Sequence, residues 1–456
     1  MTLLSLDWVP LKNSKILKVS HQAFFTPDFI FLYHSGLLMK ILLKNATVLN
    51  PQSPHHSTDQ DILISAGVIA EIGDNIKSDK ETQVYTFENL HVSCGWFDSG
   101  VSFGEPGYEE RETLSNGLEV AARSGFTKIL LNSNTYPIPD SKSIIGHLIK
   151  MTKGNTTSLY PIGALTIESK GDQMASLYDM FSEGAIAFGD HKHPIQKANL
   201  LKIALQYSQS FEGIVISHPM NKELAGNGVM HEGITSTRIG MKGIPSMAES
   251  VQIARDLEIL KYAGGKLHLP NISTEAGLDL IRKSKKQGLN VSCSVGLPQL
   301  IFDDVALENF NSNFKVYPPI RSKTDQQALR AGLLEGSIDM ISSMHEPMNI
   351  EYKKLEFENA AAGSLGLESC FGMLNKVFPL DKVLSFLTRG VKCFGIPTPT
   401  IAVGATADLT LFDPEKSYRY SEEDLKSTSK NSPYLGLELQ GKVLGSFNNG
   451  VLTLND

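Results

Sequence analysis

From Met39 to about Glu88, short apolar runs alternate with polar turns: Ile41-Leu42-Leu43, Ala46 to Leu49, Asp61 to Ile64, and Val68 to Ile72. This spacing predicts a small antiparallel β unit. The far end repeats the style, with strand-like Ala407–Asp413 and Gly441–Phe447 and a turn at Asn448-Asn449-Gly450. Strands from both ends pair into one unit if the middle of the chain is an insertion. That middle carries eight strand-like runs, Val92–Phe97, Lys128–Leu131, Leu159–Leu165, Ala185–Phe188, Gly213–Ser217, Lys266–Leu269, Asn290–Val295 and Ile338–Ser342. Most are separated by helical periodicity. Ser246 and Glu249 have capping-box spacing ahead of Val251, Ala254 and Leu257, with Gly264 as the stop. Ser273-Thr274 precedes another helix, with Leu278 and Ile281 on one face and Gly288 at its end. The fold class is α/β, and alternating strands and helices predict a (β/α)8 TIM-like barrel. A doubly wound sheet has the same periodicity and stays open. The expected division is a tail at 1–38, a composite β-sandwich-like domain from 39–90 plus 397–456, and the barrel at 91–396.

Composition narrows the function classes. The chain has 456 residues, 41% hydrophobic and 20% charged, with a net charge of −7. That is ordinary globular composition with ample core material, and the mild acidity gives no footprint for nucleic acid or an anionic membrane. Residues 1–38 contain no apolar run long enough to span a bilayer and no signal-peptide pattern; they read as a tail or as an artefact of an upstream start. Cys94, Cys293, Cys370 and Cys393 form no CxxC pair, which points to a reducing cytoplasm. Twelve histidines are a comfortable supply for a metallohydrolase, so their positions matter more than their number.

Six segments in order carry a resemblance. They are Cys94 to Asp98 with Glu105-Pro106-Gly107; Asn132-Ser133-Asn134-Thr135; Gly184 to Asp190; Arg238-Ile239-Gly240 with Gly243-Ile244-Pro245 and Ala248-Glu249; Tyr317-Pro318-Pro319-Ile320-Arg321; and Ile401 to Leu409. Together they resemble the dihydroorotases of the cyclic amidohydrolase superfamily, over about residues 39–455. The resemblance implies a metallo-hydrolase barrel with a composite β domain. It also implies one or two divalent metals, which polarise an amide and generate hydroxide near neutral pH. The ligands come from the C-terminal ends of the barrel strands.

At those positions most ligands are missing. The first-strand His-x-His is replaced by Gly100 and Ser102. Asp190 stands where the family holds a carbamylated lysine or, in some relatives, an aspartate. His191 and His193 follow it; their spacing fits a relocated two-ligand motif, but their place beyond the strand end favours a solvated loop. His218 matches the strand-five histidine, so His218 and Asp190 are the residual metal candidates. Asn271 occupies the strand-six position, and His268, three residues earlier, is expected on the opposite strand face. Met344 occupies the position of the aspartate that binds metal and moves the proton. A thioether cannot act as a base, and loss of a general base alone removes roughly 10²–10⁴ in rate. His345 and Glu346 are expected to face away from the mouth.

Substrate positions are altered as well. The family's carboxylate-binding arginine is Gly104, the asparagine before Pro-Pro is Tyr317, a His-His pair is Pro298-Gln299, and a histidine near the last loop is Met348. Asn134 survives as a vestigial substrate-binding candidate. The first expectation is therefore a non-catalytic dihydroorotase-like protein of pyrimidine biosynthesis. The resemblance implies that such a protein acts as a structural partner of aspartate transcarbamoylase. A cytoplasmic homo-oligomer without cofactor is expected, binding neither nucleic acid nor membrane. The second is a metal-dependent cyclic amidohydrolase with a divergent site, holding zinc through Asp190, His218 and His191 or His193. The third is a metal-free small-molecule binder lined by Asn134, Tyr317, Gln299 and Met344.

Overall fold

The structure is a computed structural model that describes residues 40–455. The expectation for the tail at 1–38 lies outside them. Strands β1 (Lys40–Val48), β2 (Asp59–Ser65), β3 (Val68–Gly73), β4 (Thr82–Thr86) and β5 (His91–Cys94) join β16 (Leu409–Arg419), β17 (Glu438–Asn448) and β18 (Val451–Leu454) in one eight-stranded sheet. By strand pairing it is continuous, in the order β18-β17-β16-β5-β1-β2-β3 with β4 also on β1. The two chain ends meet where β16 runs antiparallel to β5, Leu409 opposite Cys94 and Leu411 opposite Val92. Ile41, Leu43, Val48, Ile62, Ile64, Leu409 and Phe447 form the core of this domain.

The expected run Val92–Phe97 divides at Gly95. Val92 stays in the β-domain sheet, and β6 (Trp96–Val101) opens the barrel. Only glycine fits at the break, because a Cβ there would collide with Asp408 Oδ1 and Thr127 Oγ1. The barrel continues through β7 (Phe126–Leu131), β8 (Ser158–Gly163), β9 (Ala187–Phe188) and β10 (Ile214–Ile216). The short β11 (Met230–His231) and β12 (Gly243–Ile244) pair outside it, and β13 (Lys266–Leu269), β14 (Val291–Gly296) and β15 (Met340–Ser342) complete it. All eight barrel strands follow each other in parallel from β6 to β15. This selects the barrel over the doubly wound sheet. The last seam is nearly closed by side chains: Ser99 Oγ donates to Ile341 O (3.2 Å) and Ser342 Oγ to Gly100 O (2.9 Å).

The helices cover the barrel as their apolar stripes dictate. Thr274 caps Glu275–Lys286 by accepting from Gly277 N (3.1 Å), and Leu278 and Ile281 are buried beneath it. The capping box expected at Ser246 does not form. Ser246 has helical dihedrals and makes no side-chain cap. Glu249 instead reaches across to accept the Ser273 and Thr274 amides and the Thr274 hydroxyl, at 2.8–3.1 Å. A buried carboxylate facing several donors in the next loop is better satisfied there than by one amide at its own helix start.

Candidate functional site

The barrel mouth is built from the C-terminal strand ends, where the parallel ladder stops and side chains converge. At the end of β6 the buried Asp98 carboxylate accepts Gly100 N and Ser343 N, both at 3.0 Å, tying the first strand to the loop after the last. Burial pushes its carboxyl up to about 6, against the hydrogen bonds from Ser343 and Gly100. The residues that follow it shape a cavity of only about 40 Å3. Its wall includes Gly100, Ser102, Asn132, His191, Lys192, His218, His268, Asn271, Tyr317, Met344, His345 and Glu346.

The positions at which the resemblance expects ligands make other contacts. A Cβ on Gly100 would meet Asn132 Oδ1 at 3.3 Å. The same Asn132 donates to Ser102 Oγ (3.1 Å), so the asparagine amide lies against both Gly100 and Ser102, the two positions where the resemblance expects imidazoles. Gly104 sits in a tight turn in which Gly104 N donates to Glu112 O (2.9 Å) and Tyr108 N to Gly104 O (2.9 Å). A side chain there would fall inside the Tyr108 carbonyl oxygen, so the carboxylate-binding arginine is sterically excluded as well as absent.

Asp190 is buried but turned away from the cavity. Its carboxylate accepts Thr166 N (2.9 Å) and the Thr166 hydroxyl, and burial raises its pKa. His218 does line the cavity, and the Tyr317 ring stacks on it. Burial, then the charges of His191, Lys192 and His193, pulls its pKa down to about 3, so the ring is neutral. Asn134 is not in the cavity wall; Asn132 is. Gln299 is also elsewhere, donating to Pro318 O (2.8 Å). Of the four residues expected to line a small-molecule pocket, only Tyr317 and Met344 do so.

Three expectations about direction are corrected. His268 faces the barrel interior and lines the same cavity as Asn271, with Nδ1 on Ser292 Oγ (2.9 Å). Asn271 lies beyond β13 with a φ of 52°, so the two-residue alternation ends before it. His345 and Glu346 also line the cavity beside Met344, whose φ of 52° breaks the alternation in the same way. His345 Nδ1 accepts from Gly366 N and Leu367 N (3.4 and 3.5 Å), which leaves its proton on Nε2. His191 is half-buried in the wall, where a solvated loop was expected, while His193 is exposed, so the His-Lys-His pair does not converge.

Sequence reasoning missed the charged pair that dominates this mouth. Lys192 Nζ donates to Glu346 and to Ala362 O (3.2 Å), joining the loop after β9 to the loop after β15. Burial alone would raise the Glu346 pKa, but Lys192 and His191 hold it down to about 2. Lys353 anchors the same loop from inside, donating to Ser312 O, Ala361 O and Gly363 O at 2.6–3.0 Å. The available signal was positional: opposite charges directly after two buried strand ends of one barrel face each other at its mouth.

A metal is not matched by this donor set. Gly100 offers no atom, Ser102 and Asn271 offer neutral oxygens, Met344 offers a thioether, and Asp190 is spent on Thr166. Among the described residues no group of three or more His, Cys, Asp or Glu is placed to hold a metal ion. Nor is any helix among them long and apolar enough to cross a membrane.

Comparison with known proteins agrees with the architecture. A dihydro-orotase-like family model matches residues 92–276. A dihydroorotase of Pelotomaculum thermopropionicum is 35% identical over 425 residues, covering 92% of this chain and 99% of the relative. A dihydroorotase of Syntrophus aciditrophicus is 36% identical over 414 residues, covering 89% and 97%. The L-hydantoinase of Arthrobacter aurescens superposes with a TM-score of 0.79 at 21% identity, covering 92% of this chain and 96% of that one. The dihydropyrimidinase of Brevibacillus agri gives 0.77 at 21%, covering 91% and 95%. These two structures share the fold.

Proposed function

The chain belongs to the dihydroorotase family, and from that premise we propose that it is a non-catalytic member, a structural partner of aspartate transcarbamoylase. The observation that carries the loss of catalysis is the rebuilt mouth. Asn132 spans the first two ligand positions, Met344 replaces the base, and the Tyr108 carbonyl closes the arginine position. The remaining cavity of about 40 Å3 is far below the 300–1,000 Å3 of ordinary small-molecule sites. The donor set does not match a metal that would supply hydroxide, the residue at the expected base position is a thioether, and the cavity is small for a six-membered ring. Function resides in such a site and not in the fold that carries it. The role as a partner rests on the family resemblance and on the intact scaffold that an assembly requires.

The test is one purified sample assayed for dihydroorotate hydrolysis with Zn2+ or Mn2+ added, its metal content measured in parallel. No turnover above the blank and substoichiometric metal are expected. Metal-dependent turnover would overturn the reading. Co-purification from the native cells tests the second part; a chain that runs free while aspartate transcarbamoylase is expressed removes the partnership. The alternative, a divergent amidohydrolase, is favoured by one observation, the four imidazoles His191, His218, His268 and His345 around one cavity. It requires stoichiometric zinc that is lost in His218→Ala.

A further inference from the structure

A second cavity, of about 490 Å3, opens at the other end of the barrel. Leu49 and Pro51 of its wall follow β1, Cys94 ends β5, and Leu380 and Leu384 belong to the helix Leu380–Thr388. Cys94 stands two residues before Trp96, where β6 begins. Arg389, in the same wall, holds carbonyls just ahead of β15. The cavity therefore lies at the N-terminal strand ends, between the β-domain sheet and the barrel. Barrel chemistry takes place at the C-terminal face, so this space is separate from the mouth. Small-molecule sites favour such junctions and measure about 300–1,000 Å3. This cavity falls in that range, whereas the mouth, at about 40 Å3, does not.

The polar atoms of its floor are already matched. Asn50 accepts Gln52 N (2.9 Å) and donates to Cys94 Sγ (2.6 Å). Ser93 Oγ accepts Trp96 Nε1 (3.0 Å) and donates to Cys94 O (3.1 Å), and Thr388 Oγ1 donates to Leu384 O (2.7 Å). What stays open is positive charge. Arg389 is fixed in place: Nε donates to Asp339 O (2.8 Å), and Nη2 to Leu333 O (3.0 Å) and Ile338 O (2.6 Å). Its Cζ lies 5.0 Å from the Phe386 ring centroid. Among the described residues its Nη1 has no protein acceptor, and neither Arg389 nor the exposed Lys392 beside it is in an ion pair. Carboxylates nearby are taken, Asp339 by Lys285 (2.6 Å) and Asp381 by Lys382 (3.4 Å). Burial lowers the Arg389 pKa, against the pull of the Asp339 charge. A half-buried guanidinium with a free N–H edge is satisfied best by an anion.

We propose that this cavity binds a small amphiphilic anion, a carboxylate or phosphate head on an apolar body. Arg389 Nη1 and Lys392 Nζ take the head, and Leu49, Leu380, Leu384 and Pro399 enclose the body. The guanidinium is held by three carbonyls before any ligand arrives, so little side-chain freedom is lost on binding. A neutral polar ligand finds no free acceptor or donor in the floor, and a cation meets two like charges. The site does not depend on whether the mouth is catalytic.

Calorimetric titration of the full chain with octanoate at fixed ionic strength tests this, with octyl phosphate, octanamide and acetate alongside. One saturable site is expected for octanoate or octyl phosphate, and the tighter of the two identifies the head. Octanamide keeps the body without the charge and is expected to bind at least about tenfold more weakly than the acid. Acetate keeps the head without the body and is expected to give no measurable heat. Lys392→Glu is expected to weaken octanoate by about tenfold, with the fold unaffected because the residue is exposed. Ser385→Trp fills the cavity from a half-buried wall position and is expected to abolish binding with an unchanged circular dichroism spectrum. The proposal is overturned if neither anion binds saturably, or if octanamide binds as well as octanoate. Octanoate binding that both variants leave unchanged also overturns it.

Discussion

The Tyr317 ring lies over the His218 imidazole, with centroids 5.2 Å apart and planes inclined by 29°. The histidine that the resemblance offers as a residual metal candidate is thereby covered by the tyrosine before Pro-Pro. Burial pulls His218 down to about 3 and pushes the Tyr317 hydroxyl up to about 12. Tyr317→Ala should uncover the imidazole. Its titration, followed by the ring proton shift in NMR, is expected to move up toward the ordinary 6.5, and under the proposed function no dihydroorotate hydrolysis is expected from the variant. An unmoved titration would show that the tyrosine is not what shields the ring.

The wider set of buried imidazoles gives the protein an acid limit. Burial lowers His218, His268 and His345 each to about 3. In the unfolded chain they titrate near 6.5. Each therefore contributes stability that is complete above pH 6.5 and is lost as pH falls toward 3, at about 1.4 kcal/mol per pH unit. Asp98, raised to about 6 by burial, works in the opposite sense and offsets one of the three. Asp190, Asp256 and Glu368, raised by burial, add to the Asp98 side of this balance, and His191 and His231, lowered by burial, add to the other, so the contribution of one imidazole is read from a variant. Between pH 6 and 4.5, urea titrations of His268→Asn are expected to show an unfolding free energy whose pH slope differs from wild type by about one proton, in the sense that less stability is lost on acidification.

The architecture is readable from the sequence because it depends on long repeats. Eight strand-like runs and the strands at both ends are each several residues long, and their sum tolerates local error. The mouth depends instead on single residues just past the strand ends. There the alternation that predicts direction no longer holds: Asn271 and Met344 adopt positive φ, and His268, His345 and Glu346 end on one wall. Sequence position alone singles out Gly100, Ser102, Asn271 and Met344 for attention, and all four line the cavity at the barrel mouth. What fills their space, Asn132 and the Lys192–Glu346 pair, required the fold to bring separate loops together.

That pair should matter for stability even without catalysis. Glu346→Gln leaves the Lys192 ammonium at a half-buried site without its carboxylate. Breaking a buried pair on one side typically costs about 3–5 kcal/mol; partial exposure of Lys192 reduces this, so a loss of about 2–3 kcal/mol is expected in urea unfolding. Lys192→Met combined with Glu346→Leu should cost less than Glu346→Gln alone, because no unpaired charge remains. Equal losses would mean that the two side chains act through packing only.

Stepwise restoration of the family's residues separates what was lost from what was closed. At Gly100 a Cβ would meet side chains and no backbone, the amide end of Asn132 at 3.3 Å and Ser342 Oγ at 3.7 Å. Gly100→His with Ser102→His puts two imidazoles into a buried wall and is expected to fold with a loss of about 1–3 kcal/mol, the range for overpacking that moves side chains without moving backbone. It should bind zinc no better than substoichiometrically, since Asp190 stays on Thr166 and Asn271 and Met344 supply no replacement donors. Gly104→Arg is different, because its Cβ collides with backbone, the Tyr108 carbonyl, and the turn has to open. A loss of about 3 kcal/mol or more is expected, at or above the upper end of the range for overpacking, because backbone and not a side chain has to move. Thermal unfolding of the two variants side by side, with metal content measured on both, distinguishes them. A stable Gly104→Arg protein would show that the loop yields and that the arginine was lost by drift alone.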